Sequence, residues 1–163
     1  MRKTQNKKSN VPNTYSQIHI HLVFAVKFRR ALILPQWKNR LHMYMTGIIQ
    51  NNGHKLVQIN SMPDHLHILI GYKMHQAIPA LVQNLKSEST KWINRMGLSK
   101  ETFAWQKGYG AFSYCKRDLS YVIRYIQNQE LRHKKESFLG EYVKMLESFE
   151  VDYNPEYLFN ELI

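Results

Sequence analysis

The stretch that decides the fold is Met62-Pro63-Asp64-His65-Leu66-His67-Ile68-Leu69-Ile70. Successive side chains of a β-strand point to opposite faces, so His65 and His67 share one face while Leu66 and Ile68 share the other. The run is the most apolar of the chain, and a proline turn precedes it. It therefore predicts a central strand that presents two imidazoles on one side and aliphatic side chains on the other.

Hydrophobic periodicity on both sides of this strand predicts a ferredoxin-like order of elements. Strands are predicted at 16–27, 54–60, 65–72, 103–106 and 111–115, and helices at 35–51, 76–95 and 118–134, followed by a short amphipathic helix. The predicted fold class is α+β: a ferredoxin-like (RRM-like) antiparallel sheet with helices on one face and an additional C-terminal helix. The other face of the sheet is expected to be open to a ligand.

Length and composition predict one globular domain behind a flexible basic arm. The chain has 163 residues, of which 44% are hydrophobic, so it can form one substantial core. Residues 1–13 are polar and basic and form the predicted arm, and residues 14–163 form the predicted domain. Apolar runs are only of strand length, so neither a membrane span nor a signal peptide is expected. The single cysteine, Cys115, excludes an internal disulfide and fits a cytoplasmic location.

Basic residues dominate the first part of the chain. The net charge is +11, and residues 1–63 contain no Asp or Glu, whereas acids and bases nearly balance from Asp64 onward. A one-sided basic surface is typical of proteins that bind a polyanion. The pattern therefore favours a nucleic-acid partner, although a highly charged surface without that function would also fit it.

Two histidine pairs lie on predicted strands, and His65 with His67 is the better candidate for a metal site. Neutral imidazoles are common ligands of divalent metals. His19 and His21 have the same spacing, but their strand is less apolar and no tight turn precedes it. Two imidazoles alone hold a metal weakly, so a third group has to complete the shell. The alternative interpretation is that these histidines are structural.

The last predicted helix carries Tyr121, Tyr125 and Gln129 at four-residue spacing, so they share one face. In the functional interpretation, Tyr125 is a nucleophile and Gln129 is the third metal ligand. A free phenol has a pKa of about 10, so a metal has to assist its attack on a phosphate. Oxygen ligands would favour Mg²⁺ or Mn²⁺, and Zn²⁺ is not excluded. In the structural interpretation, both rings simply pack over the sheet.

Together these motifs resemble the single-tyrosine transposases of the HUH superfamily, the TnpA-like enzymes of small insertion sequences and their REP-associated relatives. The resemblance rests on four short segments in a fixed order: 27–29, 62–67, 105–109 and 125–129. It implies that Tyr125 is the nucleophile and that His65, His67 and Gln129 bind the divalent metal.

The resemblance also implies the reaction and its partners. The expected reaction is metal-dependent cleavage of single-stranded DNA at the hairpin ends of an insertion sequence or REP element. Cleavage would leave a 5′-phosphotyrosine and a free 3′-hydroxyl, and a later hydroxyl attack would rejoin strands. A homodimer is implied, in which one subunit's tyrosine helix can complete the partner's site. The implied location is cytoplasmic and nucleoid-associated.

Five residues are candidates for direct contact with DNA. Lys27, Arg29, Arg30 and Lys55 are expected to contact phosphates, and Tyr109 is expected to stack on a base. Trp105 could stack in the same way, but core packing explains it equally well.

Other classes of protein compete with the transposase interpretation. Relaxases usually place the tyrosine before the histidine motif, and replication initiators usually pair it with a lysine on its helix, whereas here Tyr125 follows the motif and is paired with Gln129. A non-catalytic, RRM-like nucleic-acid-binding module would explain the fold and the charge. It would leave the four site residues as a coincidence, and no aromatic RNP-type motif is present. A zinc deaminase is disfavoured because its paired-cysteine signature is missing.

Overall fold

A computed structural model describes residues 13–158, so the predicted arm lies outside the described residues except for Asn13. The sheet has four strands, in the order β2-β3-β1-β4. The strands are β1 (Ile18–Ala25), β2 (Lys55–Met62), β3 (His65–Tyr72) and β4 (Gly110–Tyr114). All neighbouring pairs are antiparallel, which confirms the predicted α+β, ferredoxin-like class.

Strand β3 is central, as its apolar composition predicts. It pairs with β1 on one side, where His67 lies opposite Val23, and with β2 on the other, where His65 lies opposite Met62. The turn at Pro63 and Asp64 connects β2 to β3 and is tied to the end of β1, because the Val26 amide donates to the Asp64 carbonyl at 2.8 Å. The start of β3, and with it His65, is therefore fixed from both sides.

Two helices, α1 (Pro35–Asn51) and α2 (Ile78–Arg95), cover the first face of the sheet. Each has a proline at the start of its first turn, where a missing N–H costs little. The main core lies between these helices and the strands. Its fully buried members on the sheet include Leu22, Phe24, Leu66, Ile68 and Ile70. These are the strand positions that the period-two pattern assigns to the apolar face.

The second face, which the sequence predicts to be open, is covered by three helices. These are α3 (Leu119–Gln127), α4 (Gln129–Arg132) and α5 (Phe138–Ser148). The reason is that this face also carries apolar side chains: Val23 and Ala25 pack under α5, and Leu69 packs under α3. The two imidazoles of β3 are consequently enclosed between the sheet and a second layer of helices.

Two predicted elements differ from the structure. The helix predicted at 118–134 is interrupted at Asn128. The reason is that the Asn60 side chain of β2 donates a hydrogen bond to the Ile126 carbonyl at 2.8 Å and so competes with the hydrogen bonding of the helix backbone. The segment 103–106 makes only a single bridge, from Trp105 to Val26, instead of a strand. Trp105 is buried and its indole N–H donates to Ser89 at 2.9 Å, so it serves packing rather than base stacking.

No helix among residues 13–158 is both long enough and apolar enough to cross a membrane.

Candidate active site

The histidine pair of β3 lies at the centre of the second face, and each ring is held through its Nδ1 atom. His65 Nδ1 is 2.7 Å from the Asp64 carboxylate, and His67 Nδ1 is 2.9 Å from Nε2 of His21 on β1. Both rings are fully buried. Because the Nδ1 atoms are occupied, the two Nε2 atoms are the ones left to face the covering helices.

Gln129, the first residue of α4, brings its carboxamide to these imidazoles. Its Oε1 atom is 3.3 Å from His65 Nε2 and 2.9 Å from His133 Nε2. Its Nε2 atom donates to Glu141 at 3.3 Å, on the other side of the amide. The amide oxygen, which is the atom able to bind a cation, is thus turned towards His65 and His133.

Glu141 on α5 is a further member of the site, and its carboxylate is only 2% exposed. Its Oε1 atom lies 2.9 Å from His67 Nε2 and 3.9 Å from His65 Nε2, while Oε2 lies 3.1 Å from His133 Nε2. Burial alone would raise the pKa of this carboxyl. The hydrogen bond with His133 and the interaction with His67 outweigh burial and hold the pKa well below its usual range. Glu141 is therefore an anion enclosed by imidazoles.

His65, His67 and Glu141 form a group that could hold a metal ion, since one ligand atom from each lies within 4.8 Å of the others. His67 Nε2 and Glu141 Oε1 are fully buried and have no well-aligned hydrogen bond to the rest of residues 13–158. Buried polar atoms of this kind normally have a partner, and a cation between them would supply it. Two imidazoles, a carboxylate and a nearby amide oxygen are a donor set suited to a divalent metal.

Tyr125 stands on α3, one helical turn before Gln129, and borders the same cluster. Its ring lies edge-on to His67 with the centroids 5.8 Å apart, and its hydroxyl is 3.8 Å from Met145 Sδ. The Arg132 guanidinium lies 4.4 Å from the ring centroid. Burial raises the pKa of Tyr125, and the negative charge of Glu141 raises it further. The phenol is therefore protonated in this arrangement.

The pKa values of the surrounding histidines are shifted in opposite directions. Burial lowers the pKa of His67 to about 4, and burial together with His67 lowers the pKa of His21 well below its usual value. Burial also acts to lower the pKa of His133, but its hydrogen bond to Glu141 and the charge of that carboxylate raise it overall. The strand imidazole His67 is thus neutral and able to bind a metal, whereas the Glu141 carboxylate favours the protonated form of His133.

Two cavities meet at Tyr125. An outer groove of about 630 Å³ runs along α3 and α4, and an inner cavity of about 260 Å³ reaches Glu141 and Met145 on α5. Tyr125 and Arg132 line both cavities. A molecule in the outer groove would therefore meet Tyr125 before it meets Glu141.

The residues predicted to contact DNA lie in three separate places. Lys27, Arg29 and Arg30 lie in the short turn after β1, where Arg30 pairs with Glu101 at 2.8 Å. Lys55 begins β2 and borders a small depression with His19, and Tyr109 lines a groove beside α2. The structure thus brings His65, His67, Tyr125 and Gln129 together, and none of the five predicted DNA contacts lines either of the two cavities that meet at Tyr125.

The sequence analysis missed Glu141 and His133, and each has a detectable signal. Glu141 occupies a position of the buried stripe of α5, between Phe138 and Met145, where a charged residue is unexpected. His133 lies four residues after Gln129, the spacing that already connects Tyr125 with Gln129. A charge within an apolar stripe and a continued four-residue period would both have pointed to the site.

Comparison with known proteins defines the class to which this fold and site belong. The family described as "Transposase IS200 like" matches residues 14–129. Because this match covers most of the chain, the protein belongs to the IS200-like transposase family. Membership implies a DNA-processing enzyme. The matched region ends at Gln129, so His133 and Glu141 lie beyond it.

Individual relatives agree with this family. The ISDra2 transposase TnpA of Deinococcus radiodurans is 26% identical over 125 residues, which cover 74% of this chain and 87% of that protein. A crystal structure of a protein classed as a transposase from Deinococcus radiodurans R1 matches with a TM-score of 0.60 and 24% identity, covering 74% of this chain and 97% of the other. The structure of a REP-associated tyrosine transposase bound to a REP hairpin matches with a TM-score of 0.56 and 13% identity, covering 77% and 74%. The two structures share the fold of this chain.

Proposed function

We propose that this transposase cuts and rejoins single-stranded DNA through a covalent bond between Tyr125 and a 5′-phosphate. His65, His67, Gln129 and Glu141 are the proposed ligands of a divalent metal, Mg²⁺ or Mn²⁺. The observation that carries the proposal is the convergence of a tyrosine from α3 and an amide from α4 on the two imidazoles of β3. Residues from three elements meet at one buried point that opens into a groove.

The covalent step exchanges one phosphoester for another. The Tyr125 oxygen forms a bond to phosphorus, the bond from phosphorus to the 3′-oxygen breaks, and the proton lost by the phenol is balanced by the proton gained by the 3′-hydroxyl. The phosphotyrosine keeps the energy of the broken ester, so rejoining needs no ATP. Attack by a 3′-hydroxyl on the phosphotyrosine reverses the exchange and releases Tyr125.

The chain's own residues prepare this step. The raised pKa of Tyr125 means that the phenol holds its proton until it attacks. Arg132, over the ring, can stabilise the charge that develops on the phenolic oxygen. A bound divalent ion would supply charge that polarises the phosphate and stabilises both the attacking and the leaving oxygen. Gln129 and Glu141 add oxygen donors to the imidazoles, a combination that favours Mg²⁺ or Mn²⁺ over a soft metal.

The proposed substrate is a single strand next to a DNA hairpin. Support comes from the REP-associated relative, which is bound to a REP hairpin and shares this fold. We also propose a homodimer, in which the tyrosine helix can complete the partner's site. A non-catalytic RRM-like binder is disfavoured because α3 and α5 cover the sheet face that such modules use.

The test is a covalent-adduct assay. The protein is incubated with Mn²⁺ and labelled single strands copied from both flanks of its gene, and the products are separated on a denaturing gel. A protein–DNA band is expected for the wild type and not for Tyr125→Phe. Tyr44→Phe is the matched control, because Tyr44 stacks on Trp92 on the opposite face of the sheet.

The outcomes separate the competing classes. An adduct that persists in Tyr125→Phe would exclude this tyrosine as the nucleophile. Tight hairpin binding without an adduct from either flank would favour a binding protein. Cleavage that proceeds equally in EDTA would exclude the metal role of the histidine cluster.

A further inference from the structure

The outer groove is a strongly basic concave surface beside the site, and it contains none of the DNA contacts predicted from sequence. Among the described residues that line it, the basic ones are Arg124, Arg132, Lys134 and Lys135. Its acidic lining residue, Glu136, is already engaged by Arg132 at 3.6 Å and by Lys144. The groove therefore keeps a positive surface that is available to an anionic partner.

The groove also offers apolar surfaces that are exposed to solvent. Tyr121 is 61% exposed and Leu131 is 63% exposed, and both line the groove. Exposed aromatic rings that alternate with cations are typical of surfaces that bind single strands, because the bases stack while the phosphates contact the cations. A paired duplex would leave such a ring without a base to stack on.

The position of the groove connects it to the chemistry. The wall between the groove and the inner cavity that reaches Glu141 is formed by the four residues that line both, which are Tyr121, Tyr125, Arg132 and Glu136. Arg132 is half-buried and lies over the Tyr125 ring, whereas Arg124, Lys134 and Lys135 are exposed along the groove. A phosphate at this wall would contact Arg132, and its neighbours along the strand would lie among the exposed cations.

We infer that this groove binds the phosphate backbone of the single strand directly adjacent to the bond that is cut, with Tyr121 stacking on a base. The inference rests on the proposed function for the identity of the bond. It predicts that the single strand binds along α3 and α4, in addition to any contact made by Lys27, Arg29, Arg30 or Lys55.

The experiment measures binding separately from cleavage. The Tyr125→Phe protein in EDTA is titrated with labelled oligothymidine of about 20 nucleotides, which forms no hairpin, over a range of salt concentrations. The groove variant replaces Lys134 and Lys135 with Ala, and the charge-matched control replaces Arg95 and Lys100, which lie at the end of α2 and in the loop after it.

The groove variant is expected to bind more weakly and to show a smaller salt dependence, by about 0.7 in the logarithmic slope for each phosphate that the protein no longer neutralises. The control should keep the slope of the parent protein. Tyr121→Leu should weaken binding by about tenfold because the base no longer stacks on a ring, with the salt slope unchanged. A duplex of the same length should bind without sensitivity to Tyr121→Leu.

Several results would overturn the inference. One is an equal salt slope for the groove variant and the control, and another is absence of binding to the single strand. A third is an equal loss of affinity for single strand and duplex, both in the groove variant and in Tyr121→Leu. The proposed function is decided independently by the adduct assay. If the adduct forms but the groove variants bind DNA like their controls, only the inferred role of the groove is rejected. If the groove variants bind more weakly but no adduct forms, only the proposed covalent chemistry is rejected.

Discussion

At the scale of single residues, the candidate site depends on how each donor atom is held by a second group. Asp64 holds His65, His21 holds His67, and His133 contacts both Gln129 and Glu141. Such contacts fix the orientation of a ligand before a metal arrives, and their removal typically lowers metal affinity 10- to 100-fold. Substitutions here should therefore change metal binding more than they change the fold.

Glu141→Gln is expected to lower the affinity for Mn²⁺ by about 10-fold or more, because it keeps the shape of the side chain and removes its charge. The measurement is a titration with Mn²⁺ followed by electron paramagnetic resonance, on protein without DNA. Glu147→Gln is the control, since Glu147 lies on the same helix and is exposed. Equal Mn²⁺ affinity in the two variants would remove Glu141 from the metal shell.

His133→Leu is expected to weaken Mn²⁺ binding as well, although His133 is a positioning residue. Its Nδ1 donates to the Glu136 carbonyl at 2.9 Å, so Nε2 is directed at the Gln129 oxygen. Without that interaction, the Gln129 amide is free to turn its nitrogen towards the site. His133→Gln keeps a donor at this place and should restore most of the affinity. Equal decreases in the Leu and Gln variants, with unchanged unfolding, would contradict the orienting role.

At the scale of elements, α5 contributes the carboxylate, and its first turn is capped by Ser137. The Ser137 hydroxyl accepts a hydrogen bond from the Gly140 amide at 3.2 Å. Ser137→Ala should therefore lower the free energy of unfolding by about 1 kcal/mol. Urea unfolding in EDTA measures this change. Ser137→Asp, which can make the same cap, should be close to wild type, and an equal loss in both variants would argue against capping as the cause.

Periodicity predicted most elements because each has one apolar face. Strand β3 begins and ends where the sequence indicates, and α1 and α2 differ from prediction by a few residues at most. The break between α3 and α4 could not be predicted locally, because it depends on the Asn60 side chain of β2, which lies 66 residues away from its partner Ile126. Long-range hydrogen bonds leave no periodic signal in the segment that they interrupt.

The site was only partly predictable for a related reason. His65 and His67 share a face through the period of β3, and the four-residue spacing predicted that Tyr125 and Gln129 lie close together, although the structure divides their predicted helix into α3 and α4. Glu141 joins them only because α5 folds back over the sheet to cover Val23 and Ala25. That face has to be covered because it carries apolar residues. The sequence analysis expected it to be open, and for that reason it did not identify Glu141 as a site residue.

At the scale of the whole molecule, the burial of histidines makes the stability of the fold depend on pH. His21 and His67 are buried on the second face of the sheet, and His42 is held on the first face by a 2.8 Å hydrogen bond with Ser61. Burial lowers the pKa of all three, and to about 4 for His42 and His67. His133 is shifted in the opposite direction. The balance therefore favours neutral imidazoles in the folded state.

This balance predicts that the free energy of unfolding decreases as pH falls from about 6.5 to about 4. In this range the unfolded chain takes up protons on histidines that stay neutral in the folded protein, and stability falls with pH wherever the unfolded state binds more protons. His42→Gln isolates one such group away from the metal cluster. Its urea unfolding in EDTA should depend less steeply on pH, by at most about 1.4 kcal/mol per pH unit. Identical slopes for His42→Gln and wild type would show that His42 becomes protonated without unfolding.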